Sequence, residues 1–133
     1  MSMNASAALI TLLTALLLAI AMQLVASARG RHQVHAPATS GHPDFERAFR
    51  AHQNTIEATV MFLPCLWVAS LHGDARIAAW LGWAWLVGRV WYLFAYIAPG
   101  GKRGPGFMIG ILANLGLLGI GLWALLPPLL RMG

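Results

Sequence analysis

The chain has 133 residues, of which 59% are hydrophobic and only 10% charged, with a formal net charge of +5. Its mean hydropathy is +0.67. A soluble domain carries about 25% charged residues, and a chain this apolar cannot cover its surface with polar groups, so an ordinary soluble domain is excluded. The expectation is an all-α integral membrane protein, a four-helix bundle forming a single domain over residues 1–133. Nucleic-acid binding is excluded too, because the nine Lys and Arg form no dense basic run and no recognition motif.

The first apolar stretch, about 5–28, contains no charge. At 1.5 Å rise per residue it is long enough to cross about 30 Å of hydrocarbon. Ala26-Ser27-Ala28 has the form of a signal-peptide cleavage site. However, no Lys or Arg precedes the run, and the run exceeds an h-region of about 7–15 residues, so it reads as a span. Residues 29–42 are polar, contain Pro37 and Gly41, and read as a loop. The second helix is expected over 43–71, with Pro43 in its first turn and Asp44 and Glu46 at its positive end. Its first half is charged and its second half apolar, so it projects beyond the membrane before entering it. Pro64 marks an expected kink. Cys65, the only cysteine, excludes an intrachain disulfide and reads as a small packing residue. His72-Gly73-Asp74 is a tight connection to a third helix over 75–98. Pro99-Gly100-Gly101 ends that helix and begins a basic, Gly-rich loop. A fourth helix is expected over 107–126, stopping before Pro127-Pro128, with Gly106-x-x-x-Gly110 as a close-packing motif that Gly116, Gly119 and Gly121 extend.

Four spans place the 1–2 and 3–4 connections on one side. That side carries Arg29, Arg31, Arg47, Arg50, Lys102 and Arg103, against Arg76 and Arg131 on the other. The bias predicts that both connections are cytoplasmic and both termini are not. The expected location is a bacterial inner membrane.

The bilayer penalises charge, so polar residues inside spans carry most of the information. Arg50, Asn54 and Glu57 recur at i, i+4, i+7 on one face of helix 2, and Arg47 continues the row. Arg89, Tyr92 and Tyr96 recur at i, i+3, i+7 on helix 3, and the same face leads to Arg103. A structural ion-pair row and an interfacial aromatic belt are the plainer readings of these stripes. Both point to the same side, however, and together they describe a cationic cavity with a carboxylate, an amide and two phenols. Such a cavity suits a small anionic, peptide-like molecule, with Arg binding carboxylates and Glu57 an amine. His32-x-x-His35 has metal-like spacing but no Cys or carboxylate near it in the loop, so no metal site is expected. There is no phosphate-binding loop, dinucleotide fingerprint or nucleophile elbow.

The run Phe45-Glu46-Arg47-Ala48-Phe49-Arg50-Ala51-His52-Gln53-Asn54-Thr55-Ile56-Glu57 resembles the helix-2 signature of the MAPEG family, membrane-associated proteins in eicosanoid and glutathione metabolism. Arg89-x-x-Tyr92-x-x-x-Tyr96 followed by Lys102-Arg103 looks like the family's second motif, and Ser27-Ala28-Arg29 matches the end of its first helix. The resemblance implies a homotrimer with glutathione bound between subunits and membrane lipid around it. It also implies glutathione-dependent transfer to, or reduction of, a lipophilic electrophile or lipid hydroperoxide, a detoxifying activity. By resemblance, Arg50, Asn54, Glu57, Tyr92 and Tyr96 bind glutathione, Arg29 reaches in from the adjacent subunit, and Arg103 stabilises the thiolate. Glutathione is then a co-substrate, with no metal and no nucleic acid. The chain departs from the pattern at Ala58, where transferases often have Tyr, at His52, where Gln is common, and at Gly30, where some relatives have a second Arg. The Pro99-Gly100-Gly101 segment leaves Lys102 able to share the role given to Arg103. The departures keep open a non-catalytic, lipid-binding or scaffolding member of the family. A small transporter is a third reading, but helices 1 and 4 supply almost no polar lining beyond Thr11, Thr14, Gln23 and Asn114.

Overall fold

The computed structural model describes residues 3–133, with side chains from Asn4 onward. It is all-helical: α1 (Met3–His32), α2 (Pro43–His72), α3 (Ala75–Ile97) and α4 (Gly104–Arg131). All four are long and apolar enough to span a membrane. α2 and α3 form the central pair. α1 packs on both, α4 packs on both from the other side, and α1 and α4 do not meet among the described residues.

Each helix after the first starts where its sequence supplies a start signal. His42 Nδ1 accepts from the Asp44 N–H at 3.1 Å, and Pro43 occupies the first turn of α2, where its missing N–H costs nothing. Asp74 Oδ1 accepts from the N–H groups of Arg76 and Ile77 at 2.9 and 3.1 Å and starts α3. α4 begins earlier than its apolar run, at Gly104, with Pro105 in the first turn. It also runs on through Pro127 and Pro128 to Arg131. Each proline removes one ladder bond, but tandem prolines in the last turns leave only nearby carbonyls unserved, and a spanning helix tolerates this.

The bundle is held by small residues. Ile10, Leu17, Phe62, Leu66, Trp85, Leu93 and Leu117 fill the core, interleaved with Ala7, Ala21, Ala69, Ala78 and Ala113. Phe62 stacks on Trp85 with centroids 3.7 Å apart. At the α3–α4 crossing the backbones touch: a Cβ on Gly106 would lie 2.7 Å from the Gly88 carbonyl oxygen and 2.8 Å from the Tyr92 nitrogen. Gly116 faces Leu81 and Gly121 faces Val68, whereas Gly119 has nothing within 4 Å and takes no part in the packing. The outer surface carries exposed Leu12, Val60, Trp80, Trp123 and Leu130, the dress of a lipid-facing bundle rather than a soluble one. Several hydroxyls in the spans are satisfied internally, whereas the buried Ser70 Oγ has no partner. Thr14, Thr55 and Thr59 each donate to the carbonyl one turn back, and Trp67 Nε1 donates to Thr11 Oγ1 across the α1–α2 contact.

Candidate functional site

The two polar stripes meet where α2, α3 and the start of α4 converge. Arg89 is only 2% exposed, and its Nη2 donates to Asn54 Oδ1 at 3.2 Å and to Thr55 Oγ1 at 3.0 Å. Its guanidinium lies over the Tyr92 ring, 4.1 Å from the centroid. Tyr92 meets Tyr96 edge-on at 5.5 Å. Arg103 in turn lies over the Tyr96 ring at 4.1 Å. Helical spacing thus produces a continuous relay from Asn54 through Arg89, Tyr92 and Tyr96 to Arg103. Each cation rests on a π face, which favours positive charge.

Three cavities that share lining residues open along this relay. Asn54, Tyr92, Tyr96, Arg103, Gly104 and Phe107 line a space of about 340 Å³. Next to it, Pro43, Glu46, Arg47, Arg50 and Tyr96 line one of about 240 Å³. Deeper in the bundle, Asn54, Glu57, Arg89, Phe107 and Asn114 share one of about 180 Å³ with Ala58, Met61 and Trp85. Of the residues singled out in sequence, Asn54, Tyr92, Tyr96 and Arg103 therefore come together, Arg50 joins them through Tyr96, and Glu57 through Asn54. Both Arg50 and Glu57 are exposed on α2. Arg29 is placed elsewhere. It lies over the Phe45 ring at 4.6 Å and donates to the Ala38 and Val34 carbonyls at 2.7 and 3.3 Å, pinning the 1–2 connection. Lys102 is exposed and offers only its carbonyl, to Trp91 Nε1 at 3.2 Å, whereas Arg103 lines the cavity. Arg47 is tied to Asp44 and, through Nε, to the Ile97 carbonyl at 3.4 Å, joining the start of α2 to the end of α3.

Sequence reasoning did not assign Thr55, Phe107 or Asn114 to the site. Phe107, Gly110 and Asn114 recur at i, i+3, i+7 on α4, and that spacing is the signal that could have found two of them. His32 pairs not with His35 but with His42, stacked at 3.7 Å, and with Asp44. The three residues offer donor atoms within 4.8 Å of one another. His42 Nδ1 is already the α2 cap and Asp44 already holds Arg47, so these groups serve to close the connection.

Cations outnumber carboxylates along the three cavities: Arg47, Arg50, Arg89 and Arg103 against Glu46 and Glu57. Such a lining suits an anion, and two phenols and an amide offer directional hydrogen bonds. Fold and site together define a multi-pass membrane protein with a cationic cavity at one end of its bundle. The chain belongs to the MAPEG family, whose model matches residues 7–123. It is 42% identical over 108 residues to an uncharacterised protein of Synechocystis, covering 81% of this chain and 79% of that one. It is 41% identical over 101 residues to microsomal glutathione S-transferase 2 of Bos taurus, covering 74% of this chain and 68% of the transferase. It is 40% identical over 89 residues to leukotriene C4 synthase of Cavia porcellus, covering 67% of this chain and 59% of the synthase.

Proposed function

We propose that this protein is a membrane-bound, glutathione-dependent transferase or peroxidase acting on lipophilic acceptors. The observation that carries the reading is the single cavity shared by Asn54, Tyr92, Tyr96 and Arg103, with Arg103 held over Tyr96. Relatives named glutathione S-transferase and leukotriene C4 synthase support it. In this reading Arg50 pairs with a glutathione carboxylate and Glu57 with its amine. Asn54, Tyr92 and Tyr96 hydrogen-bond the peptide. Arg103 stabilises the thiolate, which either bonds to the electrophilic carbon of a conjugation acceptor, as that carbon's bond to its leaving group or epoxide oxygen breaks, or attacks the terminal oxygen of a hydroperoxide. The second course breaks the O–O bond to give the alcohol and a glutathione sulfenic acid, which a second glutathione converts to the disulfide and water. Arg103 is preferred to Lys102 because it alone of the two lines the cavity. Arg29 would act from an adjacent subunit of a homotrimer, since within its own chain it faces the 1–2 connection. Glutathione is a co-substrate here, and no metal is assigned a part. In this reading the membrane is a bacterial inner membrane and both basic connections face the cytoplasm, an orientation that the placement of basic residues supports.

Binding tests the reading directly. Detergent-solubilised protein should give a saturable glutathione isotherm. Arg50→Ala should weaken it by about 1.5–3 kcal/mol, the range for a charge-assisted contact. A folded Arg50 variant that binds as tightly as the parent removes the α2 stripe from the site.

A further inference from the structure

The deepest of the three cavities contains two hydrogen-bonding atoms that the chain itself leaves unsatisfied. Arg89 Nε and Asn114 Oδ1 are both buried and without a partner, and both residues line the same 180 Å³ space. An unmade hydrogen bond is costly anywhere in an interior, and more so inside a bilayer, where bulk water cannot repair it. Arg89 also lacks an ion-pair partner among the described residues. Its Nη2 is committed to Asn54 and Thr55, and its Nε–H is buried with no partner. The Arg89 stem passes beside Gly110, one turn from Asn114 on α4, where a Cβ would meet its Cδ at an ordinary contact of 3.5 Å. Met61, Trp85, Phe107 and Ile111 make much of the remaining wall apolar, and Ala58 adds only a methyl, which keeps the space open.

Asn54 and Glu57 also line this space, but its two buried unmet atoms, one a donor and one an acceptor, select the chemistry of an occupant. A carbonyl or ether oxygen only accepts and would leave Asn114 Oδ1 unmet. A hydroxyl or hydroperoxyl group does both. We propose that this cavity is a binding subsite for the hydroxyl or hydroperoxyl group of a lipid, which accepts from Arg89 Nε–H and donates to Asn114 Oδ1. A second, apolar space near this one suits the lipid's hydrocarbon. One turn further along both helices, Pro64 and Cys65 of α2 and Leu117 and Leu118 of α4 line an apolar cavity of about 160 Å³. Binding here is independent of the glutathione reading, and only a reaction of the bound lipid rests on it. Asn54 lines both this cavity and the one with Tyr92, Tyr96 and Arg103, so an oxygenated carbon held here lies beside the thiol carrier.

Displacement of a fluorescent fatty probe from the solubilised full chain tests the subsite without turnover. The competitors are a mid-chain hydroxy fatty ester and the same ester without its hydroxyl, neither of which reacts with a thiol. The parent protein should prefer the hydroxy ester by about tenfold, the worth of one well-made buried hydrogen bond. Asn114→Leu removes the unpaired acceptor at similar volume. It should fold and should reduce the preference to about twofold or less. Equal affinities in the parent overturn the proposal, and that is the result expected if water alone fills the cavity. A preference that survives in Asn114→Leu overturns it as well. A glutathione isotherm on the same preparation tests the transferase assignment separately. Ester preference without glutathione binding sinks that assignment and supports the subsite.

Discussion

Arg103 is exposed in the loop after α3, yet the Tyr96 ring beneath its guanidinium fixes where its charge acts. Its proposed role is to favour the sulfur anion, so its loss should lower turnover more than glutathione affinity. A free thiol has a pKa of about 8.5, so the deficit of Arg103→Ala should be largest at low pH and shrink as bulk base supplies the thiolate. Arg103→Lys should keep part of the rate, because a point charge remains. A pH series of conjugation rates with a general aryl halide checks this. Unchanged Arg103→Ala rates beside a large loss in Lys102→Ala would transfer the role to the lysine. The α3 half of the site is legible in the sequence because Arg89, Tyr92 and Tyr96 share one face, and a charge inside a span demands an explanation. Thr55 and Asn114 are less legible. A lone hydroxyl or amide in an apolar helix usually bonds its own backbone, and only the fold shows that Thr55 also accepts from Arg89 while Asn114 opens on the cavity.

At the level of helices, the contact that sets the cavity is backbone on backbone. Gly106 of α4 abuts the Gly88 carbonyl and the Tyr92 nitrogen, and neither of these can move as a side-chain tip would. Gly106→Val should therefore push α4 from α3, costing about 1–3 kcal/mol or more, and should widen the space beside Tyr92. Gly119→Ala meets nothing within 4 Å and should be neutral or mildly stabilising. Thermal unfolding in detergent distinguishes the two, and equal stability would mean that the crossing yields more easily than a backbone contact should. The four helices are readable from hydropathy and turn residues. The ends of α4 are not, because Pro105 falls in a first turn, where it starts a helix, and Pro127 and Pro128 fall where the helix has few bonds left to lose.

Taken whole, the molecule has one polar end and an apolar flank. Arg29, Arg31, Arg47, Arg50, Lys102 and Arg103 gather at the end holding the 1–2 and 3–4 connections, against Arg76 and Arg131 at the other. In a Cys65→Ala background, Ser40→Cys should react with an impermeant maleimide from the cytoplasmic side and Gly133→Cys from the opposite side. The reverse pattern would invert the orientation. Because α1 and α4 do not meet among the described residues, the bundle is open along one flank, and the exposed Arg50 and Glu57 lie on the α2 surface rather than in a closed core.

The burial of Arg89 against α2 bears on how the chain is made. A lone helix with a central arginine enters a bilayer at a cost of about 2.5–3.5 kcal/mol. Both side-chain acceptors for that arginine, Asn54 and Thr55, sit on the preceding helix, joined to α3 by the tight turn at Gly73. A nascent α2–α3 hairpin can therefore shield the guanidinium before α4 has been synthesised, and α3 should partition as half of a pair. In a glycosylation-mapping insertion assay, residues 75–97 alone should insert less completely than their Arg89→Leu form. The segment 43–97 should insert equally well with either residue. Full insertion of the isolated arginine-bearing helix would show that it needs no escort into the bilayer.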